Sequence, residues 1–393
     1  MIGEKAGADK ARDIGAGRTF GRRALGVILA VLGASLAFGV VAVAVVVFLV
    51  SSPIDAAPWS PSPRPEQTGS LAQNDALAGA ELVAAGRIQG PEDIAIDGRG
   101  RLYTGGEDGR IYRVTLGEGG DEEVEKFADT GGRPLGLRFD GEGDLIVTDS
   151  EKGLLSVAPN GEVTTLTDSV GGSAITYADE LDIARDGTVY FSDASTRFDR
   201  GFPYDMLEAR PHGRLLSYDP RTDETEVLAE DLYFANGVAL TPEENSVLVV
   251  ESFRYQITRL WIEGPRAGER EVFADNLLGI PDNLHRAPDD TYWVAMNNLR
   301  PALIDWLHPR PFVKEQFAKL GQQRLRAAAD RSRYGLVAQL DERGGVVRTL
   351  HDPDGRLYNL STAVPHDGHL YLGTLFGDSI GRYRLAETAS EEG

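Results

Sequence analysis

The sequence has no cysteine among its 393 residues, and basic side chains are scarce beside acidic ones. Without cysteine the chain has no disulfide framework, no thiolate nucleophile and no cysteine-ligated zinc site. Lys and Arg number 40 against 61 Asp and Glu, so the net charge is -21. Nucleic-acid binding depends on basic side chains that neutralise phosphates, so this charge argues against nucleic acid as a partner. A metal ion would need oxygen ligands or some of the six histidines.

One long hydrophobic run stands near the N-terminus. Residues 24–50 contain neither charge nor proline over 27 positions. A helix of that length spans about 40 Å, more than the roughly 30 Å of a bilayer core. The apolar part of a signal peptide is usually about 7–15 residues long, so an uncleaved anchor is favoured over a cleaved signal. Six basic residues lie in the tail 1–23, and the next one is Arg64. The positive-inside rule therefore predicts a single-pass protein with a cytoplasmic N-terminus and an extracytoplasmic body.

The segments that flank this body are predicted to lie outside its core. Residues 51–76 begin with a stretch that holds five prolines within 51–70, which predicts an extended tether that lifts the body off the membrane. Residues 388–393 form a short acidic tail. The 34 arginines against six lysines suggest a GC-rich, bacterial genome.

Between residues 77 and 387, short strand-like runs alternate with Gly/Asp turns and helical periodicity is almost absent. Six segments share one plan, an apolar strand, an Asp-Gly type turn and further strands, and they begin at Pro91, Pro134, Ala178, Ala235, Pro281 and Tyr358. Six units of about 45 residues with about four strands each predict an all-β, six-bladed propeller. A β-sandwich or a parallel β-helix fits this repeat less well.

Two further features follow from the repeat. The interval before the sixth unit contains 301–334, a stretch rich in Leu, Ala, Lys, Arg and Gln. It predicts a helical insert in blade 5 that lies over one end of the propeller as a partial lid. The sixth unit is too short for a full blade, so the strand-like run 81–88 is predicted to supply its outer strand and to close the ring.

Polar pairs recur at one register of the repeat. Four units begin with such a pair, and these are Glu92-Asp93, Asp179-Glu180, Asn236-Gly237 and Asp282-Asn283. The second unit offers Leu135-Gly136 there, and the sixth offers Asn359. Equivalent positions of a propeller face the same level of its axis, so the polar side chains should converge. Carboxylates gathered without a cation would repel one another, and mixed carboxylate and amide oxygens suit Ca²⁺. The alternative is that Asp and Asn merely begin strands after turns.

Several strings along the exported body resemble the strictosidine synthase-like six-bladed propellers, most closely the adipocyte plasma membrane-associated protein branch. Paraoxonases and the gluconolactonase (senescence marker) group are more distant. The strings are GPEDIAI at 90–96, GRPLGLRF at 132–139, DGTVYFSDAS at 186–195, FANGVAL at 234–240, GIPDNL at 279–284 and LYLGTLFGDSIGR at 370–382.

The resemblance implies a catalytic calcium in the central tunnel, and it implies as ligands Glu92, Asp179, Asn236, Asp282 and Asn283. It also implies that a second, structural calcium, as in paraoxonases, would use Asp93 and Glu180. This second ion is doubtful because relatives carry Asn-Asp where this chain has Asp179-Glu180.

Other positions depart from the relatives' catalytic patterns. Ser361 stands where true strictosidine synthase has its catalytic glutamate, so the acid–base group of a Pictet–Spengler condensation is missing. The paraoxonase histidine pair is also missing, with Asp149-Ser150 near its first position. The histidines, such as those in His366-Asp367-Gly368-His369, are interpreted as ordinary turn or rim residues.

The leading hypothesis is a calcium-dependent hydrolase that acts on lactones or carboxylic (aryl) esters in the tunnel. The metal would polarise the carbonyl, and a carboxylate would take a proton from the attacking water. Resemblance to gluconolactonases indicates Asp282 for this role, while Asp149 and Asp193 are candidates at the ends of neighbouring inner strands. The alternatives are a non-catalytic, calcium-stabilised propeller that binds a ligand or partner and, least favoured, carbon–nitrogen bond formation.

Overall fold

The computed structural model describes residues 27–29, 31–36, 38–39, 45, 49–117, 121–199 and 201–385. The chain divides into two compact units, Met1–Pro53 and Ile54–Gly393. Within the described residues, no helix is both long and apolar enough to cross a bilayer. About half of the predicted anchor 24–50 falls outside the described residues, and the tails 1–23 and 388–393 fall wholly outside them. Their assignments stay predictions.

The second unit contains six four-stranded antiparallel sheets, which confirms the predicted six-bladed propeller. The innermost strand of each sheet packs against that of the next, and the last packs against the first. From the axis outward, blade 1 contains β2 (Ile94–Ile96), β3 (Leu102–Gly105), β4 (Arg110–Leu116) and β5 (Glu122–Asp129), and blade 2 contains β6 (Pro134–Phe139), β7 (Leu145–Asp149), β8 (Gly153–Val157) and β9 (Val163–Thr167). In the same order, blade 3 contains β12 (Ala178–Ile183), β13 (Val189–Asp193), β14 (Gly213–Asp219) and β15 (Glu224–Leu232), and blade 4 contains β16 (Ala235–Leu240), β17 (Ser246–Glu251), β18 (Gln256–Trp261) and β19 (Arg270–Ala274). Blade 5 contains β20 (Gly279–Arg286), β21 (Tyr292–Leu299), β22 (Gly335–Leu340) and β23 (Val346–Asp352), and blade 6 contains β24 (Leu360–His366), β25 (His369–Thr374), β26 (Ile380–Arg384) and β1 (Glu81–Val83).

The ring closes as the sequence predicts. Strand β1, the first part of the 81–88 run, pairs antiparallel with β26, and Leu82 lies opposite Gly381. The N-terminal strand thereby completes the last blade and joins the two ends of the propeller by backbone hydrogen bonds. A two-stranded hairpin, β10 (Ser169–Val170) and β11 (Ser173–Ala174), lies between blades 2 and 3 in the chain.

The hydrophobic core is divided into clusters that lie between successive blades. Blades 1 and 2, for example, share one that includes Ile111, Leu137 and Val147. Blades 4 and 5 share another around Leu248, Leu284 and Val294. The second strands of blades 4 and 5, β17 (SVLVVE) and β21 (YWVAMNNL), are buried on both faces, so their sequences are mostly continuous apolar runs rather than alternating ones.

A β-bulge interrupts the innermost strand of five blades. In each, one extra residue is inserted against the neighbouring strand, at Leu135-Gly136, Asp179-Glu180, Asn236-Gly237, Asp282-Asn283 and Ser361-Thr362. In blade 1 the pair Glu92-Asp93 directly precedes β2. Bulges bend a strand and redirect its side chains, so the repeat presents one residue pair per blade at the axis. A Cβ at Gly237 would lie 2.6 Å from the carbonyl oxygen of Asp282, so glycine is required for this close approach of blades 4 and 5.

Helices cover one end of the propeller. The structure contains α1 (Phe202–Glu208), which follows β13, and, within the predicted insert 301–334, α2 (Ala302–Leu307), α3 (Pro311–Ala318) and α4 (Gln322–Asp330). Helix α1 packs on α3 and α4. Short 3-10 turns lie at Gly69–Leu71, Ala76–Gly79, Ser252–Arg254 and Gly264–Arg266.

The N-terminal part of the predicted tether is packed rather than extended in solvent. We call residues 54–68 the strap. Ile54 and Ala56 are buried against α1, α2 and α3 in one apolar cluster. The backbone N–H of Trp59 donates to the carbonyl oxygen of His308 at 3.1 Å, and the buried Lys314 ammonium donates to that of Ala57 at 2.5 Å. The strap differs from the expected extended tether because its few apolar residues pack on the helices. These helices lie outside the repeat, so the repeat pattern does not predict this packing.

Candidate functional site

A cavity of about 390 Å³ lies between the inner strands and the covering helices. Its floor is polar and contains Glu92, Asp179, Asn236 and Asp282, which we call the floor cluster. Its walls are largely apolar and include, from the blades and helices, Phe202, Met206, Phe234, Phe253, Leu307, Phe317, Leu325 and Phe376. An apolar pocket with a few convergent polar groups is the usual form of a small-molecule site.

The members of the floor cluster come from four blades and are all at least 96% buried. The amide of Asn236 donates to Oδ1 of Asp282 at 2.5 Å, and the amide of Asn297 donates to Oδ2 of the same carboxylate at 2.8 Å. The amide of Asn283 lies 3.5 Å from Oε1 of Glu92. Four of the five residues predicted as ligands of the first metal ion therefore line one cavity, and the fifth, Asn283, lies beside Glu92.

Several buried oxygens around the floor have no hydrogen-bond donor among the residues that the structure describes. They are Oε2 of Glu92 and the amide oxygens of Asn236, Asn283, Asn297 and Asn359. A buried acceptor without a partner costs about 1–3 kcal/mol. Four of these five oxygens belong to residues that line the same cavity, which indicates a missing electrophilic partner. An all-oxygen set of carboxylates and amides is the ligand chemistry of Ca²⁺ rather than of zinc. The residues present therefore fit a calcium ion.

The ionisation of the floor carboxyls supports the same conclusion. Burial raises the pKa of Glu92 and of Asp179 well above their ordinary values, and repulsion from Asp282 raises both further, although Arg133 opposes the shift at Asp179. Burial also raises the pKa of Asp282, to about 7, although its two amide donors oppose the shift. Three buried carboxyls that repel one another gain stability from a cation held between them.

A second polar layer lies next to the floor and contains the residues predicted for a second metal ion. The Arg138 guanidinium contacts Oδ2 of Asp93 at 2.8 Å and Oε1 of Glu180 at 3.0 Å. Burial raises the pKa of both carboxyls, but Arg138 and His285 hold that of Asp93 well below its usual range, whereas repulsion from Asp93 adds to the rise at Glu180. Asp93, Glu180 and His285 converge closely enough to be considered as a metal site, yet an arginine already lies between the two carboxyls.

Asp149 and Asp193, the other two predicted proton acceptors, are buried and do not line the cavity described above. Asp149 accepts hydrogen bonds from the backbone N–H of Arg133 and the hydroxyl of Thr130, at 2.9 and 2.6 Å. Asp193 accepts from the backbone N–H of Tyr177 and is paired with Arg214.

A third carboxylate shows that this arrangement is a recurrent structural device. Glu251, at the end of the second strand of blade 4, accepts from the backbone N–H of Tyr233 at 2.9 Å. In each of the three blades, a carboxylate at the end of the second strand binds an N–H just before the first strand. These carboxylates hold the entry into the three blades and do not line the cavity.

Ser361 and the histidines also have identifiable partners. The Ser361 hydroxyl donates to the carbonyl oxygen of Glu92 at 2.6 Å, so it supports the floor backbone. The register places Ser361, not Asn359, at the blade 6 position equivalent to Glu92. The interpretation of the histidines as rim residues is wrong for His285, His308 and His351, which are buried.

Sequence reasoning missed two features of the site. Asn297 lies near the end of β21 in the string MNNL and binds Asp282, but a single asparagine outside the repeated pair carries no signal of its own. Arg138 lies inside one of the strings that resemble the relatives, where its charge within the apolar strand PLGLRF is a detectable anomaly, since an unpaired charge is rarely buried. Its partners, however, come from distant blades.

Comparison with known proteins agrees with this architecture. Family profiles match in two places, strictosidine synthase over residues 179–265 and the N-terminal part of strictosidine synthase-like proteins over residues 69–114. The adipocyte plasma membrane-associated protein of Salmo salar is 38% identical over 376 residues, which cover 91% of this chain and 89% of that protein. Strictosidine synthase-like protein 6 of Arabidopsis thaliana is 36% identical over 79% of this chain and 82% of its own.

Solved structures share the fold at lower identity. A gluconolactonase from Xanthomonas campestris superposes with a TM-score of 0.57 at 17% identity, and the match covers 86% of this chain and 98% of that one. Regucalcin from Agrobacterium tumefaciens, described as a calcium-binding protein, gives 0.52 at 12% identity over 77% of this chain and 90% of its own. With its propeller, its floor cluster and its extended identity to these relatives, the chain belongs to the strictosidine synthase-like family, together with the adipocyte plasma membrane-associated proteins.

Proposed function

We propose that the protein is a calcium-dependent hydrolase of lactones or carboxylic esters, including aryl esters. The observation that carries the proposal is the set of unpartnered oxygens and mutually repelling carboxyls on the floor of an apolar cavity. A structural floor would satisfy its own polar groups. The printed descriptions of two fold relatives, a gluconolactonase and a calcium-binding protein, agree with the proposal.

The shape of the cavity defines what the substrate must present. Its polar atoms converge on the floor, so the reacting carbonyl points there. The aromatic walls formed by Phe202, Phe234, Phe253 and Phe376 suit an aryl group or a hydrocarbon portion. Burial of such a group stabilises the complex by about 25 cal/mol for each Å² removed from water, and the covering helices also exclude bulk water from the reacting carbonyl.

The residues then have distinct roles. Glu92, Asp179, Asn236 and Asp282 would hold the ion, with Asn283 beside them. Bound Ca²⁺ supplies Lewis-acid polarisation of the carbonyl and stabilises the developing negative charge. Asp282 accepts a proton from the attacking water, and the amides of Asn236 and Asn297 fix the orientation of its carboxylate. The new bond joins the water oxygen to the acyl carbon, the acyl–oxygen bond breaks, and the alcohol oxygen takes the proton. The products are an acid and an alcohol, joined in one hydroxy acid when the substrate is a lactone.

We further propose that the hydrophobic segment 24–50 anchors the protein with its propeller outside the cytoplasm. The asymmetry of basic residues around this segment supports the orientation. The names of relatives such as the adipocyte plasma membrane-associated protein of Homo sapiens, 35% identical over 399 residues, support membrane association.

The experiment is hydrolysis of phenyl acetate and of a panel of γ- and δ-lactones by the full chain in detergent. Turnover should disappear in EDTA and return with Ca²⁺. Asp282→Asn should lower kcat at least 100-fold, since it removes both a ligand charge and a proton acceptor. Glu342→Gln, the same chemical change at an exposed position, should leave kcat unchanged. Turnover that survives EDTA and Asp282→Asn would refute the mechanism. Calcium binding without turnover on any substrate would favour the non-catalytic propeller.

A further inference from the structure

We infer that the Arg138 guanidinium is the resident cation of the second polar layer, where it replaces a second metal ion and positions the floor ligands Glu92 and Asp179. The inference rests on the metal site proposed above, because the ion in that site is the one to which a second ion is compared. It does not rest on hydrolase activity. Its support is the bonding around Arg138 together with the blades from which each partner comes.

Arg138 uses its guanidinium to bridge two buried carboxyls. Nη1 donates to Oδ2 of Asp93 at 2.8 Å and to the backbone carbonyl of Leu137 at 2.6 Å. Nη2 lies 3.0 Å from Oε1 of Glu180 and 2.8 Å from Nδ1 of His285. Both carboxyl side chains are fully buried. The guanidinium therefore contacts all three residues that could otherwise hold a metal ion at this level.

The bond to His285 fixes the state of that side chain. Arginine can only donate, so Nδ1 of His285 must accept, and the ring proton is on Nε2. Nε2 lies 2.6 Å from the hydroxyl of Thr362, which in turn donates to Oδ1 of Asp93 at 2.8 Å. The imidazole lone pair that would bind a metal is thus engaged by Arg138. A metal ion could use Asp93, Glu180 and His285 only if the guanidinium left.

The register explains why few other ligands are available at this level. The equivalent positions of blades 2 and 4 are Gly136 and Gly237, which offer no side-chain oxygen. Ca²⁺ takes about 6–8 oxygen ligands, and a positively charged guanidinium between the carboxyls would repel a divalent ion. The second layer therefore does not fit the structural calcium that resemblance to paraoxonases implies.

The same contacts tie Arg138 to the floor cluster. Arg138 belongs to blade 2, and its network reaches Asp93 in blade 1, Glu180 in blade 3, His285 in blade 5 and Thr362 in blade 6. Asp93 directly follows Glu92 and Glu180 directly follows Asp179, so holding the second residue of each pair fixes the backbone that carries the first. Arg138 is in this sense a positioning residue.

The test counts calcium ions per chain in the full-length protein, by equilibrium dialysis with metal analysis and by calorimetric titration. Wild type should bind one ion. Arg138→Leu should bind two, the second more weakly, and Glu180→Gln added to that variant should remove the second ion. Arg138→Lys, which keeps a cation, should bind one. Arg259→Leu is the matched control, because Arg259 is about equally buried and paired with Glu271 away from the tunnel, and it should also bind one.

The outcomes separate the inference from the proposed function. Two ions in wild type, or one in a folded Arg138→Leu chain, would overturn the role of Arg138 while leaving the first site in place. No ion in wild type and one in Arg138→Leu would overturn the first site and support the role of Arg138. If Arg138→Leu is too unstable to titrate, excess Ca²⁺ should raise its Tm more than that of wild type, and an equal rise would contradict the inference.

Discussion

Replacing Asp282 by asparagine should have opposite effects on stability with and without Ca²⁺. In the metal-free chain Asp282 is a buried carboxyl next to Glu92 and Asp179, and its folded pKa is about 7 against an ordinary value of 3.8. Because the native state holds a proton that the unfolded state has released, the free energy of unfolding falls as the pH rises from about 4 to 7. The loss is on the order of 4 kcal/mol at pH 8. Asparagine removes this loss and keeps the shape of the side chain.

With Ca²⁺ bound the sign reverses, because the carboxylate then faces a cation. Ligand at 1,000 times its Kd stabilises the native state by about 4 kcal/mol, and a variant that lacks one ligand charge gains less. Asp282→Asn should therefore melt above wild type in EDTA at pH 8 and below it in millimolar Ca²⁺. In a chain of this size, 1 kcal/mol corresponds to about 2 °C or less in Tm, so differences of several degrees are expected by calorimetry.

Asp193→Asn is the control for this prediction. Asp193 is as buried as Asp282 but is paired with Arg214, so its loss should cost about 3–5 kcal/mol whether or not calcium is present. A variant Asp282→Asn that is less stable than wild type in EDTA as well would show that the floor carboxyls do not repel one another, and the argument for a cation would fail.

Three further predictions concern the strap and the cavity. Burial lowers the pKa of His308 to about 3, and Lys314, Arg254 and Arg300 add to the shift. Between pH 6.5 and 3 the unfolded state therefore binds a proton that the native state does not bind, so the free energy of unfolding should fall on acidification. His308→Leu should flatten that part of the pH profile measured by urea unfolding. Trp59→Ala should lower the free energy that holds the strap on the helices by about 1–3 kcal/mol, because it removes contacts with the rings of Tyr255 and His308 and with Arg254. Faster proteolysis within 54–68 would show this weakening. Leu325→Trp should raise KM for aryl esters about tenfold while leaving kcat for a small lactone unchanged, as steady-state kinetics would test.

The parts of this molecule that repeat could be predicted from the sequence. Six similar segments impose one backbone geometry, so the number of blades and the closing strand follow from spacing alone. For the same reason, the pairs beginning with Glu92, Asp179 and Asn236 meet at the axis. A bulge at the same place in five innermost strands turns the chain in the same way in each blade. Residues at equivalent positions of the repeat therefore reach equivalent positions around the axis.

Repetition also misled. Asp149 and Asp193 recur at strand ends in the same way as the floor residues recur at strand starts, yet they bind backbone N–H groups. Period and spacing cannot distinguish a carboxylate that faces a cavity from one that holds a turn, because both are fixed by the same repeat. Features outside the repeat, such as the packing of Ile54 and Trp59 on the helices, depend on tertiary contacts that no local pattern encodes.

What separates a binding site from a structural cluster here is whether the protein completes its own hydrogen bonds. In the second layer, backbone N–H groups, Arg138 and Thr362 engage three of the four carboxyl oxygens of Asp93 and Glu180. On the floor, the amides of Asn236 and Asn297 give their N–H groups to Asp282 and leave their own oxygens turned to no donor. Both layers are acidic and buried, so charge alone does not distinguish them. Arg133 offsets part of the negative charge at Asp179, but no described side chain donates to the free oxygens of Glu92, Asn236 and Asn297. This difference is the reason for proposing the metal site on the floor.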